Sequence, residues 1–464
     1  MALLPFPSSR PPGAREPSLR APQTIAETGL SQTFLVELVA KAMYRLGLTR
    51  LTELSAHLCL SGAVVESLTV FMRREGLLEI ARRGDTDADT QFELTQAGRA
   101  RSAEWLSRNQ YDGPAPVPLA AYRERVAAQS ITHRHVDCEQ VRDAFAGLVV
   151  PAALQDLLGT GVNSGRPMLL YGEAGSGKTW LAERLHLLMP GEVAIPHAIA
   201  VDNEVVRVFD PHWHQPVDEP AAARAPLDIR SRPDARWVLC ERPLVVAGGE
   251  LTLAMLDLSF DERAGYYEAP PHFKANNGLF IVDDLGRQIV TPHELMNRWI
   301  VPMERRYDHL MLRNGGKFTI PFDLQLVFST NLTPGELDDA AFLRRLGHKI
   351  RVGPLGADDY RLVFMQACED LGIALDVPSY KLLVDRLHRD SGRPTLACYP
   401  RDLLRLVVSR CAYLGEPPAL TPERLVWAWN VYFATDEHGG VTELGDVHHA
   451  HSSTDSNGPD QGRN

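Results

Sequence analysis

The chain has 464 residues, of which 44% are hydrophobic and 23% charged, and its formal net charge is -11. That length allows about two to four domains and a substantial buried core, and the composition is that of an ordinary soluble globular protein. The acidic balance excludes a chain that coats nucleic acid or anionic membrane over its whole surface, though not one with a local basic patch.

Residues 1–28 are rich in Pro, Ser and Arg without an apolar period, and are expected to be disordered. The first fifteen lack the basic and apolar regions of a signal peptide, and no apolar run is long enough to span a membrane. Cys59, Cys138, Cys240, Cys368, Cys398 and Cys411 fall at no metal-ligand spacing and are expected as free thiols. Both points suggest a cytoplasmic protein.

Between residues 29 and 110, "SQTFLVELVAKAMYRLG" has helical apolar spacing. "LTELSAHLCLSGAVVESLTVFMRREG" predicts a short helix, a tight turn and a longer helix with Ser61 as N-cap. "LLEIAR" and "TQFELT" predict two strands around a polar loop, and "TQAGRARSAEWLSRN" a closing helix. This order resembles the winged-helix fold. The second helix of the pair is expected to turn Glu66, Thr69, Arg73 and Arg74 outward, a mixed set. With about ten basic and about ten acidic residues the unit lacks a basic footprint. A protein-docking or dimerising role is favoured, with DNA contact as the alternative. "YDGPAPVP", with three prolines and one glycine, opens an expected stiff linker over residues 111–135.

"MLLYGEAGSGKTWLAERL" carries the strongest signal. Gly172, Glu173, Ala174, Gly175, Ser176, Gly177, Lys178 and Thr179 match G-x-x-x-x-G-K-T, between an apolar strand and an amphipathic helix. The glycines let backbone N–H groups turn inward onto phosphate oxygens, and the helix N-terminus adds its dipole. Lys178 would reach the β- and γ-phosphates of ATP, and Thr179 would ligate Mg²⁺. Some ninety residues then intervene. "AIAVDNEVVRVFDPHWHQPV" predicts a strand pair, and "WVLCERPLVVAGGELTLAMLDLSFDERAGYYEAPPH" a strand, a helix and a hairpin. His212 and His214 flank Trp213 without a visible third metal ligand, so a hydrogen-bonded structural role is favoured.

"GLFIVDDLGRQ" is an apolar strand ending in two carboxylates. Asp283 would hold the metal through its water shell, and Asp284 would orient or deprotonate the attacking water. "FDLQLVFSTNLTP" is another apolar strand, with Asn331 at its tip and Ser329 and Thr330 as alternatives for a γ-phosphate contact. Four helical patterns follow "LDDAAFLRRLGHKIRVGPL". The tail, expected to be disordered over 438–464, carries His448, His449 and His451, read as solvated rather than metal-binding.

Glycine-rich loop, acid-tipped strand and Asn-tipped strand, in that order, resemble the AAA+ ATPases. "YYEAPPHFKANNGLFIVDDLGR" and "FTIPFDLQLVFSTN" are similar to the MoxR-like branch of that family. The resemblance implies an α/β P-loop NTPase core over residues 136–355 with a parallel sheet between helices, and an α-helical lid over 356–437. It implies a ring of identical subunits, typically a hexamer, that hydrolyses ATP with Mg²⁺ and remodels or assembles a protein partner in a chaperone-like way. Arg344 and Arg345 stand where that family has an arginine finger reaching a neighbouring subunit's phosphate. Arg305 and Arg306 are lesser candidates. One of Arg344 and Arg345 is expected instead to cap a helix or pair with Asp338 or Asp339. Arg401 in "YPRDLL" resembles the lid's phosphate sensor, and Tyr266 and Tyr267 are pore candidates by analogy, with packing at least as well supported.

The chain departs from the family in having Asp284 where Glu is usual, which leaves the carboxylate about an ångström further from the water and permits slower hydrolysis. Two other readings remain. One is an ATP-dependent, DNA-binding transcriptional regulator, although the "GAFTGA" loop of that branch is missing. The other is a slow nucleotide switch.

Overall fold

The computed structural model describes residues 19–83, 90–217, 233–337 and 339–433. Residues 1–18 and the tail with its three histidines lie outside the described residues, as does Asp338. The chain divides into two compact units, Met1–Asp359 and Tyr360–Asn464.

Part of the expected disordered N-terminus is ordered. Residues Ile25–Thr28 form a helical turn capped by Thr24, and the carbonyls of Pro22 and Thr28 accept bonds from Ser61 and Arg236. Helix α1 (Gln32–Leu46) starts at Ser31, whose hydroxyl accepts from the Phe34 amide, and stops at left-handed Gly47. Helices α2 (Leu51–Leu58) and α3 (Gly62–Arg74) meet at a bend of 117°. Strands β1 (Leu78–Arg82) and β2 (Gln91–Leu94) pair antiparallel, and α4 (Gln96–Arg108) follows a Thr95 cap. Two expectations on α3 change. Ser61 is its N-cap position but spends its hydroxyl on Pro22, and Thr69 is buried with its hydroxyl on the Glu66 carbonyl.

The expected linker is packed structure. Tyr111 and Ala115 join the core built by α1, α2 and α3, together with Ala198 and Val205 from further along the chain. β3 (Val117–Pro118) is an edge strand, where proline's missing N–H costs nothing, and α5 (Leu119–Ala128) follows it.

Helix α6 (Ala152–Ser164) leads to β4 (Met168–Tyr171), the glycine loop and α7 (Lys178–Arg184). Next come β5 (Glu192–Pro196), β6 (Ala198–Val201), β7 (Glu204–Arg207) and β8 (Trp237–Glu241), with β5 and β8 antiparallel to each other. Where one strand was expected before a helix, the chain forms two: β9 (Leu244–Ala247) follows β8 and is a strand of the central sheet, and the expected helix is only a short turn over Leu253–Leu256. β10 (Ser259–Asp261) and β11 (Tyr266–Glu268) complete a five-stranded sheet of order β10-β11-β7-β6-β3. Here Tyr267 is buried, with its hydroxyl accepting from the Arg313 amide, and Tyr266 lies edge-on to Tyr111 at 5.5 Å. Both tyrosines are packing residues of this sheet.

Further along the first unit come β12 (Leu279–Val282), α8 (Pro292–Arg305), β13 (Tyr307–Met311), β14 (Lys317–Pro321), β15 (Gln325–Thr330), α9 (Ala340–Leu343) and β16 (His348–Arg351). The central sheet has the order β16-β4-β15-β12-β9, and every neighbouring pair is parallel. Parallel strands covered on both faces read as continuous apolar runs, and all four residues of β12 are buried. Parallel pairing also brings the C-terminal tips to one edge, where α/β sheets hold ligands.

The second unit is helical among its described residues. α10 (Ala357–Asp370), α11 (Val377–Leu382), a π-helical run over Leu383–His388, α12 (Cys398–Leu414) and α13 (Pro422–Phe433) bury Tyr360, Phe364, Leu403, Leu404 and Leu425. All six cysteines are unpaired, and no single described helix is long and apolar enough to cross a membrane.

Trp299 of α8 anchors the central sheet on one face. It is fully buried, with ring centroids 5.4 Å from Phe280 of β12 and 5.6 Å from Phe328 of β15. Trp299→Ala is expected to cost about 3–5 kcal/mol in urea denaturation. A loss below about 1 kcal/mol would mean that this contact does not hold the helix to the sheet.

Candidate nucleotide site

Three strand tips converge on the glycine loop. The loop leaves β4 through Gly172, whose φ is 151° and whose amide donates to the Thr330 carbonyl at 3.3 Å. A Cβ on Gly172 would stand 2.2 Å from the Val352 carbonyl oxygen, so only glycine fits there. Gly175 and Gly177 are left-handed, with φ of 85° and 95°.

Lys178 opens α7 and is buried. Its ammonium donates to the carbonyls of Gly172 (3.0 Å) and Glu173 (2.8 Å) and to Asn331 Oδ1 (2.8 Å). Burial pushes its pKa below the usual lysine value, and the charges of Asp284 and Asp283 oppose that shift. The Thr179 hydroxyl lies 2.9 and 3.0 Å from the two carboxylate oxygens of Asp283. Asp284 Oδ1 is 3.5 Å from Asn331 Nδ2, and its Oδ2 is 3.7 Å from Arg287 Nη1. Lys178, Thr179, Asp283, Asp284 and Asn331 thus form one connected group. Ser329 and Thr330, the alternatives to Asn331, are buried in β15, and the Thr330 hydroxyl is spent on the Leu285 carbonyl.

Arg344 and Arg345 part company at the end of α9. Arg345 is committed locally, donating to the Ala341 carbonyl (2.5 Å) and Glu304 (3.1 Å). Arg344 is exposed, and its side chain has no partner among the described residues. Asp339 caps α9 by accepting from the Phe342 amide at 2.8 Å, so it serves the helix rather than an arginine. Arg306 points to the Gly165 carbonyl, and Arg305 is exposed. Arg401 belongs to the second unit, where it lies 3.5 Å from Asp370; its helix starts at Cys398, two residues before Pro400. Residues that sequence patterns alone did not single out are Arg287 and Gln288, both in the turn after the acids.

The group fits a Mg²⁺–nucleotide on its own chemistry. The Ser176 hydroxyl is buried in the loop without a partner, an open position for a phosphate oxygen. Thr179 and Asp283 offer hard oxygens side by side, the donor type Mg²⁺ takes alongside phosphate oxygens and water. His214, by contrast, is fully buried between the Asp210 amide and the Lys274 carbonyl, a structural role. No group of three or more His, Cys, Asp or Glu able to hold a metal occurs among the described residues.

A parallel sheet with a glycine phosphate loop at the tip of β4 and an acid at the tip of β12, with β15 between them, defines the class: an α/β fold of the P-loop NTPase type. A family model described as a domain of unknown function (DUF8689) matches residues 356–431. No curated protein matches. Among solved structures, the chain is similar to the RuvB Holliday junction branch migration motor of Thermotoga maritima, with TM-score 0.34 and 11% identity over 61% of this chain and 69% of that one. It is also similar to NtrX from Brucella abortus in complex with ATP, with TM-score 0.36 and 11% identity over 68% of this chain and 61% of that one.

The different settings of the two arginines separate their variants. Arg345→Ala is expected to lower stability by about 1 kcal/mol through its lost hydrogen bonds, and Arg344→Ala to leave the denaturation midpoint unchanged. Equal midpoints for the two variants would contradict this assignment.

Proposed function

We propose that the chain is a Mg²⁺-dependent ATPase of the AAA+ class, of MoxR-like type, working as a ring of identical subunits on a protein partner. The observation that carries this reading is the joining of three strand tips through two contacts, Lys178 with Asn331 and Thr179 with Asp283. A ligand seated on the glycine loop would meet a cation, a metal-binding pair and an amide at one place. Bound Mg²⁺ would neutralise phosphate charge. Lys178 and the loop amides would hold the β- and γ-phosphates, with Ser176 as a further donor. Asp284 would accept a proton from, or orient, the attacking water, with Asn331 steering it. Arg344, exposed and without a partner among the described residues, is the better candidate to act on a neighbouring subunit's nucleotide. Arg401 would act from the helical lid.

The N-terminal module, of winged-helix type in this reading, would dock the partner. Its packing supports this role over DNA contact. α3, the helix that would enter a groove, turns Glu66 outward beside Arg73 and Arg74, and the module shares its core with Ala198 of β6 and Val205 of β7. A cytoplasmic setting fits the unpaired cysteines.

Lys178→Ala is expected to reduce ATP hydrolysis at least about a hundredfold in a steady-state phosphate-release assay. Unchanged turnover would show that the site is misassigned. Arg344→Ala is expected to lower kcat while leaving ATP affinity within about twofold. The Asp284→Asn variant loaded with ATP should retain the partner in a pulldown, and duplex DNA retained instead would favour the regulator reading.

A further inference from the structure

The turn after β12 is fastened on three sides. Asp284 has φ of 50° and Gly286 φ of 106°, both left-handed. The Leu285 amide donates to the Ser329 carbonyl at 2.8 Å, and the buried Thr330 hydroxyl donates to the Leu285 carbonyl at 2.6 Å. The turn therefore rides on the tip of β15. Gln288 closes the third side. It is 9% exposed, and its Nε2 donates to the carbonyls of Asp283 (2.8 Å) and Gly248 (3.4 Å). Its Oε1 accepts from the Gly286 amide at 2.9 Å. One side chain thus joins the end of β9, the backbone of the first acid and the amide two residues past the second.

This geometry bears on why the second acid is Asp. Side chains in the left-handed region crowd the backbone, and Asp and Asn are several-fold better tolerated there than longer residues. The preference therefore comes from the backbone at position 284, independently of how far a carboxylate must reach. The turn also places the two oxygens of Asp284 near Asn331 and Arg287.

We propose that Gln288 is a positioning residue of the acid pair: it holds the turn in the shape that makes position 284 left-handed, and so selects Asp over Glu as the second carboxylate. The inference rests on the nucleotide-site reading for its catalytic consequence, while its structural part stands on the turn alone.

The test is a double-mutant cycle on the full-length protein with Asp284→Glu and Gln288→Ala, read as kcat, ATP KM and thermal midpoint. Gln288→Ala is expected to lower kcat by roughly tenfold to a hundredfold, because the acid is misplaced, with KM within about twofold. Gln288→Glu keeps the acceptor for Gly286 and loses the donor to Asp283, so its kcat should fall between the two. Asp284→Glu should lower the midpoint in the parent, and that drop should shrink by about half or more in the Gln288→Ala background. Additive midpoints, or parental kcat in Gln288→Ala, would overturn the proposal. The midpoint arm needs no turnover. A parent protein that does not hydrolyse ATP would defeat the nucleotide reading, while the midpoints still decide whether Gln288 holds the turn. If the parent hydrolyses ATP, Lys178→Ala does not, and the cycle is additive, only the Gln288 proposal falls.

Discussion

A buried ammonium has three protons to place, and Lys178 places them on two carbonyls of its own loop and on Asn331. Leaving any of them unpaired in a dry setting would cost on the order of 1–3 kcal/mol or more. That requirement ties the glycine loop to the tip of β15. Thr179 then ties the first turn of α7 to Asp283 at the tip of β12. The two contacts bring together chemistry that lies more than a hundred residues apart in the chain. They also supply polar groups that phosphate oxygens and a metal ion could replace when a nucleotide binds.

The rest of the first unit serves to hold those tips in register. Parallel pairing sets the ends of β4, β15 and β12 at one edge, and Trp299 packs against both acid-side strands from one face. At the opposite ends of the same strands sits a buried polar joint. Asp323 accepts from Ser130 (2.8 Å) and Asn277 (2.5 Å), Gln129 donates to Asn277 (2.9 Å), and Arg242 donates to the Asn277 carbonyl (2.5 Å). Arg242, Asn277 and Asp323 immediately precede β9, β12 and β15, and Gln129 and Ser130 follow α5, so the joint ties the segment after α5 to the starts of the central strands. Buried networks of this kind are costly when partly satisfied and rigid when complete.

The phosphate loop could be read from the sequence because its glycines answer to backbone conformations that other residues avoid, and because an apolar run and a helical period flank it. The acid strand was legible for the same reason: four buried apolar residues end in charge. What escaped was set by partners distant in the chain. The one strand expected early in "WVLCERPLVVAGGELT" is two, because Trp237–Glu241 pairs with β5 while Leu244–Ala247 takes its place beside β12. The three prolines and one glycine of "YDGPAPVP" suggested a linker, yet the last of them, Pro118, sits in an edge strand that tolerates it. Thr69 read as a surface residue, but its hydroxyl is satisfied within its own helix and can be buried. Nothing in "RR" tells Arg344 from Arg345; Glu304, some forty residues earlier, does. The left-handed backbone of Asp284 was invisible for the same reason, since Gln288 and the tip of β15 impose it.

The central claim is that Lys178, Thr179, Asp283 and Asn331 form a Mg²⁺–ATP site. Calorimetric titration of ATP into the full-length protein, with Mg²⁺ and then with the metal chelated, tests it most directly, in parallel with Asp283→Asn. The account predicts saturable one-to-one binding that tightens with Mg²⁺, and loss of that metal-dependent gain in Asp283→Asn. Absence of ATP binding at millimolar nucleotide, or a metal-dependent gain that survives in Asp283→Asn, would contradict it.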